Sequence, residues 1–590
     1  MGRLTLMLAR LRTHFNRLSM VLPVRLGAGV AGVILVITGA LAAIGYALGP
    51  PIVRRIYHGE PLGPLGEIRI VSGRNQVPLE VYFDWLYLAL NWIVGVGIAW
   101  ALAALVSGFL LQRREEGRGL PERETTVAIV LVAAVGLVAL ATVVLQRFPN
   151  SADEYAYLFQ AETLAQGRLW NESTPLPEHF WFIHIAQQDG KWLSRFPPGW
   201  PAMLAVFVWA GIPTWLLNPL LGLGTLVVVV LLFRELNMRH ATPIAVASMA
   251  SSPFFLFNGA SYFCHMSCLA CIVVAAWLAA RYRKNALLWE AAGVGLALGV
   301  AFTIRYFTAV LVGIPLLVYL AAGHPRRILR TSLAVTAGAA LPLALMLAYQ
   351  ALITDSPWLL VTQWVDPTEG LGFIKGHTPA RAVEAMFLHL GRLVIWASPA
   401  LLVLLVSIAC SRKCQPWVWM ACATFVTCLL GYTLYYNLGG NQYGPRFYFE
   451  GWALATLGVV VWAFREPAPA AQRLPRFVVI FGLLAGAFVF PMLAYREHRV
   501  VAERMDLQRR VEQAGLNKAV VIVSDGTGVI RAMPPYDLTR NGTSLDDEVL
   551  YVLDLGADTP KQLHARFPDR DIYRYRRQHD QVNGKLEWVP

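Results

Sequence analysis

Two adjacent carboxylates, Asp153 and Glu154, stand in the stretch NSADEYAYLFQA, within a chain that is 56% hydrophobic. Ser151 and Glu154 have the spacing of a capping box, in which serine and glutamate satisfy the backbone N–H groups that begin a helix. Asp153 in the first turn would also suit the helix macrodipole. A helix start is therefore one interpretation of both acids. The other is chemistry at a membrane surface, where a carboxylate takes a proton from a hydroxyl group.

The segment that follows places cations between aromatic residues. It reads FWFIHIAQQDGKWLSRFPPGWPAML and contains His184, Lys191 and Arg195. Its prolines stiffen the approach to a further apolar stretch. Arginine binds phosphate through a planar fork, and tryptophan and tyrosine are enriched at membrane interfaces. Together with the two acids, this set of side chains suits a sugar that is carried on a lipid phosphate.

The composition indicates an integral membrane protein of 590 residues. Charged residues make up only 15% of the chain, against about 25% in soluble domains, and the mean hydropathy is +0.50. The excess of 50 Lys+Arg over 37 Asp+Glu is interpreted as basic loops that face the cytoplasm and anionic lipids, not nucleic acid.

The cysteines and histidines do not predict a cofactor. Cys264, Cys268 and Cys271 share a helical face in an apolar run, which is typical of small packing residues in a membrane helix. No set of His, Cys, Asp and Glu has convincing metal spacing, so no metal site and no other cofactor is predicted. A divalent ion that bridges Asp153 and a phosphate is the alternative we do not favour.

Apolar runs of about 17–25 residues are long enough to span a membrane, and about thirteen occur here. The first is too long for the core of a signal peptide. The fold class predicted is therefore an all-α polytopic membrane protein. The runs lie at about 26–49, 85–111, 126–146, 216–233, 242–257, 263–280, 286–304, 307–323, 331–351, 383–409, 416–435, 447–464 and 477–495.

Lysine and arginine in the short loops predict the orientation. Residues 1–25 carry five arginines and no acid, and RELNMRH, RYRK, HPRR, SRK and REPAPAAQRLPR fall on the same side as this N-terminus. With that side in the cytoplasm, three long segments face outward: 147–211, 354–382 and the tail from 496. We expect a multi-pass protein of a bacterial inner membrane, with a cytoplasmic N-terminus and an extracytoplasmic C-terminus.

The tail predicts a small α/β domain at 496–590. AVVIV, EVLYVLDL, DIYRYRR and KLEWV have the β-branched and aromatic content of strands. REHRVVAERMDLQRRVEQAG and TPKQLHARF have the pattern of helices. The predicted organisation is thus an N-terminal segment with two additional spans at 1–124, a transmembrane catalytic core at 125–495, and this domain, whose role the sequence leaves open between a structural cap and a function.

Three motifs carry a resemblance to a known family. DEYAYLFQA, GKWLSRFPPGWP and YGPRFYFE resemble the polytopic GT-C glycosyltransferases, nearest to the dolichyl-phosphate-mannose protein mannosyltransferases and their bacterial relatives, including the aminoarabinose transferases that act on lipid A. The resemblance covers roughly residues 125–465. It implies transfer of a sugar from a polyprenyl-phosphate donor to an extracytoplasmic acceptor hydroxyl, with inversion at the anomeric carbon. The two additional spans and the tail depart from the family's pattern and leave the acceptor open.

The resemblance assigns the general base to Asp153, which matches the family's catalytic acidic position. Glu154 would orient the acceptor or Asp153, or simply cap the helix. The leaving phosphate needs preorganised cations, and Arg446 is the first candidate, with interfacial snorkelling as its alternative role. Arg305, in a predicted tight outer turn between two spans, is the second. Further candidates for the donor phosphate are Lys191, Arg195, Lys375 and His377.

Five other residues are predicted to contact substrate: Tyr157, His184, His265, Tyr443 and Glu450. For His265 a packed or hydrogen-bonded histidine is the alternative. The expected partners are a polyprenyl-phosphate-linked sugar, a glycan, lipid or protein acceptor, and membrane lipids. Two rival functions remain at this point, a lipid or glycan transporter and a non-catalytic envelope scaffold. The sequence leaves open the sugar, the polyprenol length and the oligomeric state.

Overall fold

The computed structural model describes residues 121–397, 405, 408, 414–436, 442–465, 473–524, 537–576 and 584–589. Helices dominate these residues, and they bury one large apolar core. The helices are α1 (Glu122–Ala139), α2 (Ala152–Ala165), α3 (Gly199–Trp209), α4 (Leu217–Glu235), α5 (Thr242–Ala250), α6 (Pro253–Ala260), α7 (His265–Asn285), α8 (Leu288–Gly323), α9 (Ile328–Thr354), α10 (Val361–Val365), α11 (Pro379–Trp396), α12 (Pro416–Gly431), α13 (Phe449–Ala463), α14 (Arg473–Arg504), α15 (Asp506–Gln513) and α16 (Thr559–Arg566).

Seven helical segments in the described part are long and apolar enough to cross a membrane, and they account for eight of the predicted spans. They correspond to α1 with the π-helical turn after it, α4, α7, α8, α9, α12 and α14. The predicted spans 26–49 and 85–111 lie outside the described residues, and 383–409 lies partly outside them. The predicted class, a multi-pass helical membrane protein, is confirmed, whereas the number of thirteen stays a prediction.

Two predicted spans differ in the structure. The run 242–257 is not one helix, because it breaks at Ser251–Ser252 into α5 and α6. Pro253 starts the second helix, and Ser252 donates its hydroxyl to the backbone carbonyl of Trp396 at 3.2 Å. Proline lacks the N–H that would continue a helix across this point. The run 447–464 forms α13, whose 15 residues are fewer than the roughly 20 that a perpendicular span needs.

Helix α8 is a hairpin of two helical halves that reverses at Arg305. Arg305 has non-helical backbone angles, φ −145° and ψ 80°. A Cβ atom placed on Gly313 would lie 3.8 Å from Cδ1 of Leu298, although 15 residues of straight helix would separate them by about 22 Å. The tight turn predicted at Arg305 between the runs 286–304 and 307–323 is therefore present.

The C-terminal residues form a sheet of four strands, β4 (Ala519–Val523), β5 (Val549–Leu553), β6 (Asp571–Arg576) and β7 (Lys585–Val589). Their order in the sheet is β5-β4-β6-β7. Strand β4 pairs in parallel with β5 and β6, and β6 pairs antiparallel with β7. All four strands and α16 were predicted from the sequence. The predicted helix at 496–515 is instead the end of α14, which continues to Arg504, followed by α15.

The segment 147–211 contains a three-stranded sheet that the sequence analysis did not predict. Its strands are β1 (Asn171–Glu172), β2 (Ile185–Gln188) and β3 (Lys191–Ser194), in the order β1-β3-β2. This segment contacts the second long segment, where Nε2 of Gln188 donates to the carbonyl of Trp364 at 3.2 Å. It also contacts the C-terminal domain, where the N–H of Leu553 donates to the carbonyl of His179. The three long segments thus meet at one end of the helical core.

Candidate active site

Helix α2 begins at Ser151, as the capping-box spacing predicts. Ser151 has extended backbone angles, φ −135° and ψ 163°, and its Oγ accepts a hydrogen bond from the N–H of Glu154 at 3.1 Å. Asp153 and Glu154 both lie in the first turn of the helix. The serine half of the capping box is therefore formed, and it fixes the direction in which the two carboxylates leave the helix.

The Glu154 side chain does not complete the capping box but contacts the connection between two other helices, α6 and α7. Its Oε1 accepts a hydrogen bond from the N–H of Tyr262 at 2.8 Å, in the connection between α6 and α7. The residue is only 1% exposed, and Oε2 has no hydrogen-bond partner among the described residues. Burial raises the pKa of the Glu154 carboxyl to about 7, because a charged carboxylate is poorly solvated there. Glu154 therefore does more than start a helix.

Asp153 lies between the side chains of Arg446 and His184. Both terminal nitrogens of Arg446 donate to Oδ2, at 3.2 and 3.1 Å, and Nε2 of His184 lies 3.1 Å from Oδ1. Burial alone would raise the pKa of the Asp153 carboxyl, but the hydrogen bonds and charges of His184 and Arg446 outweigh it and hold the pKa well below its ordinary value. The side chain remains 22% exposed. Asp153 is thus an ionised carboxylate that a second molecule can reach.

Arg446 is placed by the turn that precedes α13. Gly444 in this turn has φ +94°, and a Cβ atom there would lie 2.9 Å from Phe254 and 3.0 Å from Trp396, so only glycine fits without displacing both rings. The Arg446 guanidinium stacks on the ring of Phe263 at 3.7 Å. Its Nε is buried and has no hydrogen-bond partner in the described part of the chain. The arginine is held by its environment and does not extend freely towards an interface.

Arg305 forms a second buried ion pair. From the turn of α8, its Nη1 donates to both carboxylate oxygens of Glu450, at 2.6 and 2.8 Å, and Nη2 donates to the Tyr432 hydroxyl at 3.2 Å. Glu450 is fully buried and Arg305 is 10% exposed. Glu450 was predicted to contact substrate, but in this structure its carboxylate is occupied by Arg305.

The remaining predicted phosphate ligands are engaged elsewhere, chiefly around Glu369, which the sequence analysis did not single out. Arg195 and Lys375 pair with Glu369 at 3.1 and 3.3 Å, and Lys375 also contacts Asp366 at 2.6 Å. Lys191 donates to the carbonyl of Ile353 at 2.6 Å. His377 contacts the carbonyl of Thr433 at 2.9 Å. Arg195 and Lys375 thus meet at Glu369, and this contact links the first two long segments.

The predicted substrate-contacting residues divide into one partner of Asp153 and four buried side chains. His184 is the partner. Tyr157 is 6% exposed, and its hydroxyl lies 3.4 Å from the sulfur of Cys264. His265 is 4% exposed and meets the ring of Phe263 edge-on at 5.5 Å. Such burial matches the alternative of a packed histidine.

Tyr443 is fully buried and accepts a hydrogen bond from Asn150 at 3.1 Å. This contact places it against the residue before the cap of α2, where it supports the helix start. Like Glu450, Tyr443 has no exposed surface in this structure on which a substrate could bind.

The C-terminal domain contributes a residue that sequence analysis missed, Arg540. Its Nη1 donates to the carbonyl of Pro149 at 2.7 Å, and its guanidinium lies over the rings of Phe148 and Tyr155 at 4.5 and 5.4 Å. The arginine belongs to a region without periodicity, so no pattern distinguishes it from other arginines of the tail. Within the described residues, no group of three or more His, Cys, Asp and Glu could hold a metal ion.

Comparison with known proteins gives two matches to family models. Residues 200–350 match the family model described as dolichyl-phosphate-mannose-protein mannosyltransferase. Residues 519–586 match a domain of unknown function, DUF7846. No curated protein matches the chain. The family match confirms the predicted resemblance to polytopic membrane glycosyltransferases, over the part of the core that runs from α3 into α9.

Solved structures of glycosyltransferases are also similar. ArnT from Cupriavidus metallidurans bound to undecaprenyl phosphate has a TM-score of 0.47 at 12% identity, covering 78% of this chain and 97% of that chain. Its apo state has a TM-score of 0.45 at 14% identity, covering 75% and 88%. Arabinosyltransferase EmbB from Mycobacterium smegmatis has a TM-score of 0.38 at 15% identity, covering 66% and 35%.

Proposed function

We propose that this chain transfers a sugar from a polyprenyl-phosphate donor to an acceptor hydroxyl outside the cytoplasm, with Asp153 as general base and inversion at the anomeric carbon. The observation that carries the proposal is the placement of Asp153, an accessible carboxylate held between Arg446 and His184. Such a transfer requires a base that removes the proton of the hydroxyl. It also requires a cation that stabilises the leaving phosphate. The family match and the lipid ligand in the ArnT structure's name support a lipid-linked donor.

The ion pair between Asp153 and Arg446 couples binding of the donor phosphate to the basicity of Asp153. While Arg446 is bound to Asp153, the carboxylate is ionised but weakly basic. The phosphate of the donor is a diester with a single negative charge, and it accepts the guanidinium fork. A second negative charge develops on it as the sugar leaves, so its contact with Arg446 strengthens during transfer. As the phosphate takes over Arg446, Asp153 loses a counterion and becomes a better proton acceptor. In this mechanism, binding of the donor activates the base.

His184 orients the base in the proposed mechanism. Its Nε2 faces Oδ1 of Asp153, while its Nδ1 is buried and has no hydrogen-bond partner among the described residues. An acceptor hydroxyl therefore has access to Asp153 but not to the second nitrogen of the ring. In its neutral form, His184 with a proton on Nε2 would hold one carboxylate oxygen and leave the charge of Asp153 in place.

The outward orientation and the bacterial inner membrane complete the proposal. The arginine-rich loops support a cytoplasmic N-terminus, which places Asp153 and the three long segments outside. A lipid-linked donor is available there, whereas nucleotide sugars are made in the cytoplasm.

The test is transfer by the purified chain in lipid nanodiscs from a short-chain polyprenyl-phosphate sugar to a panel of acceptors, followed by mass spectrometry. Asp153→Asn keeps the shape of the side chain and removes the base, so we expect turnover to fall by about 10²–10⁴ at normal membrane abundance. Asp558→Asn, at a highly exposed aspartate of the C-terminal domain, is the matched control.

Two results would contradict the proposal. Wild-type turnover in Asp153→Asn would leave the acid pair with its role at the helix start. Absence of transfer, together with donor flipping across the membrane, would favour the transporter. Proton NMR of the product anomer tests inversion separately.

A further inference from the structure

Residues near the C-terminus of the chain contact the turn between α1 and α2. Gln146 and Arg147 both have left-handed backbone angles, with φ +53° and +57°, which residues other than glycine rarely adopt. Oε1 of Gln146 accepts a hydrogen bond from Arg509 of α15 at 2.5 Å. A turn with two consecutive residues in this conformation requires outside contacts to persist, and some of those contacts come from beyond the membrane core.

Three consecutive residues, Thr539–Asn541, contact the same region and are called the tether here. The Thr539 hydroxyl donates to the carbonyl of Trp181 at 2.9 Å. Arg540 donates to the carbonyl of Pro149 at 2.7 Å. The Tyr155 hydroxyl donates to the carbonyl of Asn541 at 2.5 Å. These contacts reach both sides of Asp153 in sequence, since Pro149 lies four residues before it and Tyr155 two residues after it.

The tether is itself anchored in the C-terminal domain. The side chain of Asn541 accepts from the N–H of Tyr551 and donates to the carbonyl of Tyr551, each at 2.8 Å, which fixes the tether to β5. Nε of Arg540 donates to the carbonyl of Asp537 at 3.0 Å. Arg540 is 9% exposed and Asn541 is 5% exposed, so both contacts are shielded from water. Displacement of the domain would therefore displace Pro149 and Tyr155.

We infer that Arg540 is a positioning residue for the transfer reaction and that the C-terminal domain acts by holding the start of α2. This inference rests on the proposed function, because Asp153 is the group whose position matters. Arg540 acts at a distance from the reacting atoms, through the carbonyl of Pro149 and the rings of Phe148 and Tyr155. Its Nη1 donates to the carbonyl of Pro149 and its Nε to the carbonyl of Asp537. A lysine ammonium does not reproduce this geometry.

The test compares Arg540→Gln, Arg540→Lys and a matched control, Arg570→Gln, in the full chain. Arg570 also donates to two backbone carbonyls, those of Ala519 and Glu548 at 3.3 and 3.0 Å, but both lie in the C-terminal domain. We expect Arg540→Gln to lower turnover by about 10²-fold, the scale that a displacement of about 1 Å causes. The KM for the donor should change little, because Arg446, the proposed phosphate ligand, comes from another element. Arg540→Lys should not restore turnover, and Arg570→Gln should retain it.

A readout without catalysis separates this inference from the proposed function. Amide hydrogen exchange of the peptide 146–158 should become about ten to a hundred times faster in Arg540→Gln, because a buried charged hydrogen bond is lost, and should be unchanged in Arg570→Gln. Equal exchange in the two variants would overturn the positioning role. Equal turnover in the two variants would do the same. Faster exchange in Arg540→Gln, with no transfer by the wild-type chain, would refute the proposed function and retain the tether.

Discussion

Glu154→Gln should stabilise the protein at alkaline pH and not at acidic pH. Glutamine keeps the shape of the side chain, and its oxygen can still accept the hydrogen bond from the N–H of Tyr262. The amide has no proton to lose, whereas the buried carboxyl of Glu154 has its pKa raised by burial from 4.5 to about 7. The variant therefore removes one titration and leaves the fold otherwise matched.

The size of the effect follows from the two pKa values. Below pH 4.5 the carboxyl is protonated in the folded and the unfolded chain and contributes no pH dependence. Between pH 4.5 and about 7 the folded chain keeps a proton that the unfolded chain releases, so the free energy of unfolding falls as the pH rises. Above both values the total loss is about 3 kcal/mol. The stability of the variant relative to wild type should rise by that amount from pH 4.5 to pH 8.

The assay is thermal unfolding of wild type and Glu154→Gln in the same detergent at several pH values from 4.5 to 8.5. The other titrating groups are common to both chains, so the difference in Tm isolates Glu154. We expect this difference to grow by a few degrees towards alkaline pH. Glu172→Gln, at an exposed glutamate of the same long segment, should show no such trend. A Tm difference that stays constant over this range would mean that Glu154 is ionised throughout, and the reasoning from its burial would be wrong.

Three further predictions concern the arginines. Arg446→Gln removes a cation that lowers the pKa of Asp153. Because the base must be ionised, the acid limb of the kcat/KM profile should move to higher pH, and an unmoved limb would contradict the pairing. Arg446→Lys should recover little turnover with a short-chain donor, since it lacks the planar fork. Arg305→Ala should lower membrane abundance strongly, because a buried carboxylate without its partner costs about 3–5 kcal/mol, and Arg305→Leu with Glu450→Leu should restore abundance; if the single variant is as abundant as wild type, the ion pair has no structural role.

The parts of the fold that sequence predicted well are those specified by local physics. Long apolar runs such as 331–351 predict membrane helices because the backbone must satisfy its own hydrogen bonds in lipid. The β-branched run AVVIV at β4 and the capping serine at Ser151 are local in the same sense. The break inside 242–257 was harder to predict, because hydropathy is continuous there and the decisive contact is a hydrogen bond to Trp396, far along the chain.

The candidate site depends on contacts between distant segments, and that is why its pairings did not follow from the sequence. Asp153 and Arg446 were predicted as base and phosphate ligand, but their mutual ion pair joins residues 293 positions apart. Glu154 fits a capping box locally, yet it turns to Tyr262 because the α6–α7 connection offers an N–H there. Arg540 and Glu369 lie in irregular segments, where no periodic pattern indicates which part of the protein their side chains contact.

These pairings change what donor binding must involve. Sequence analysis treated Arg446, Arg305, Arg195 and Lys375 as cations available to a phosphate, but each is bound to a carboxylate. Binding a phosphate is then an exchange of one anion for another. Exchange at Glu450 would leave a fully buried carboxylate unpaired, whereas Asp153 is partly exposed and keeps His184 as a second partner. Of these two arginines, the exchange therefore costs less at Arg446, and there it also releases the carboxylate that the reaction requires.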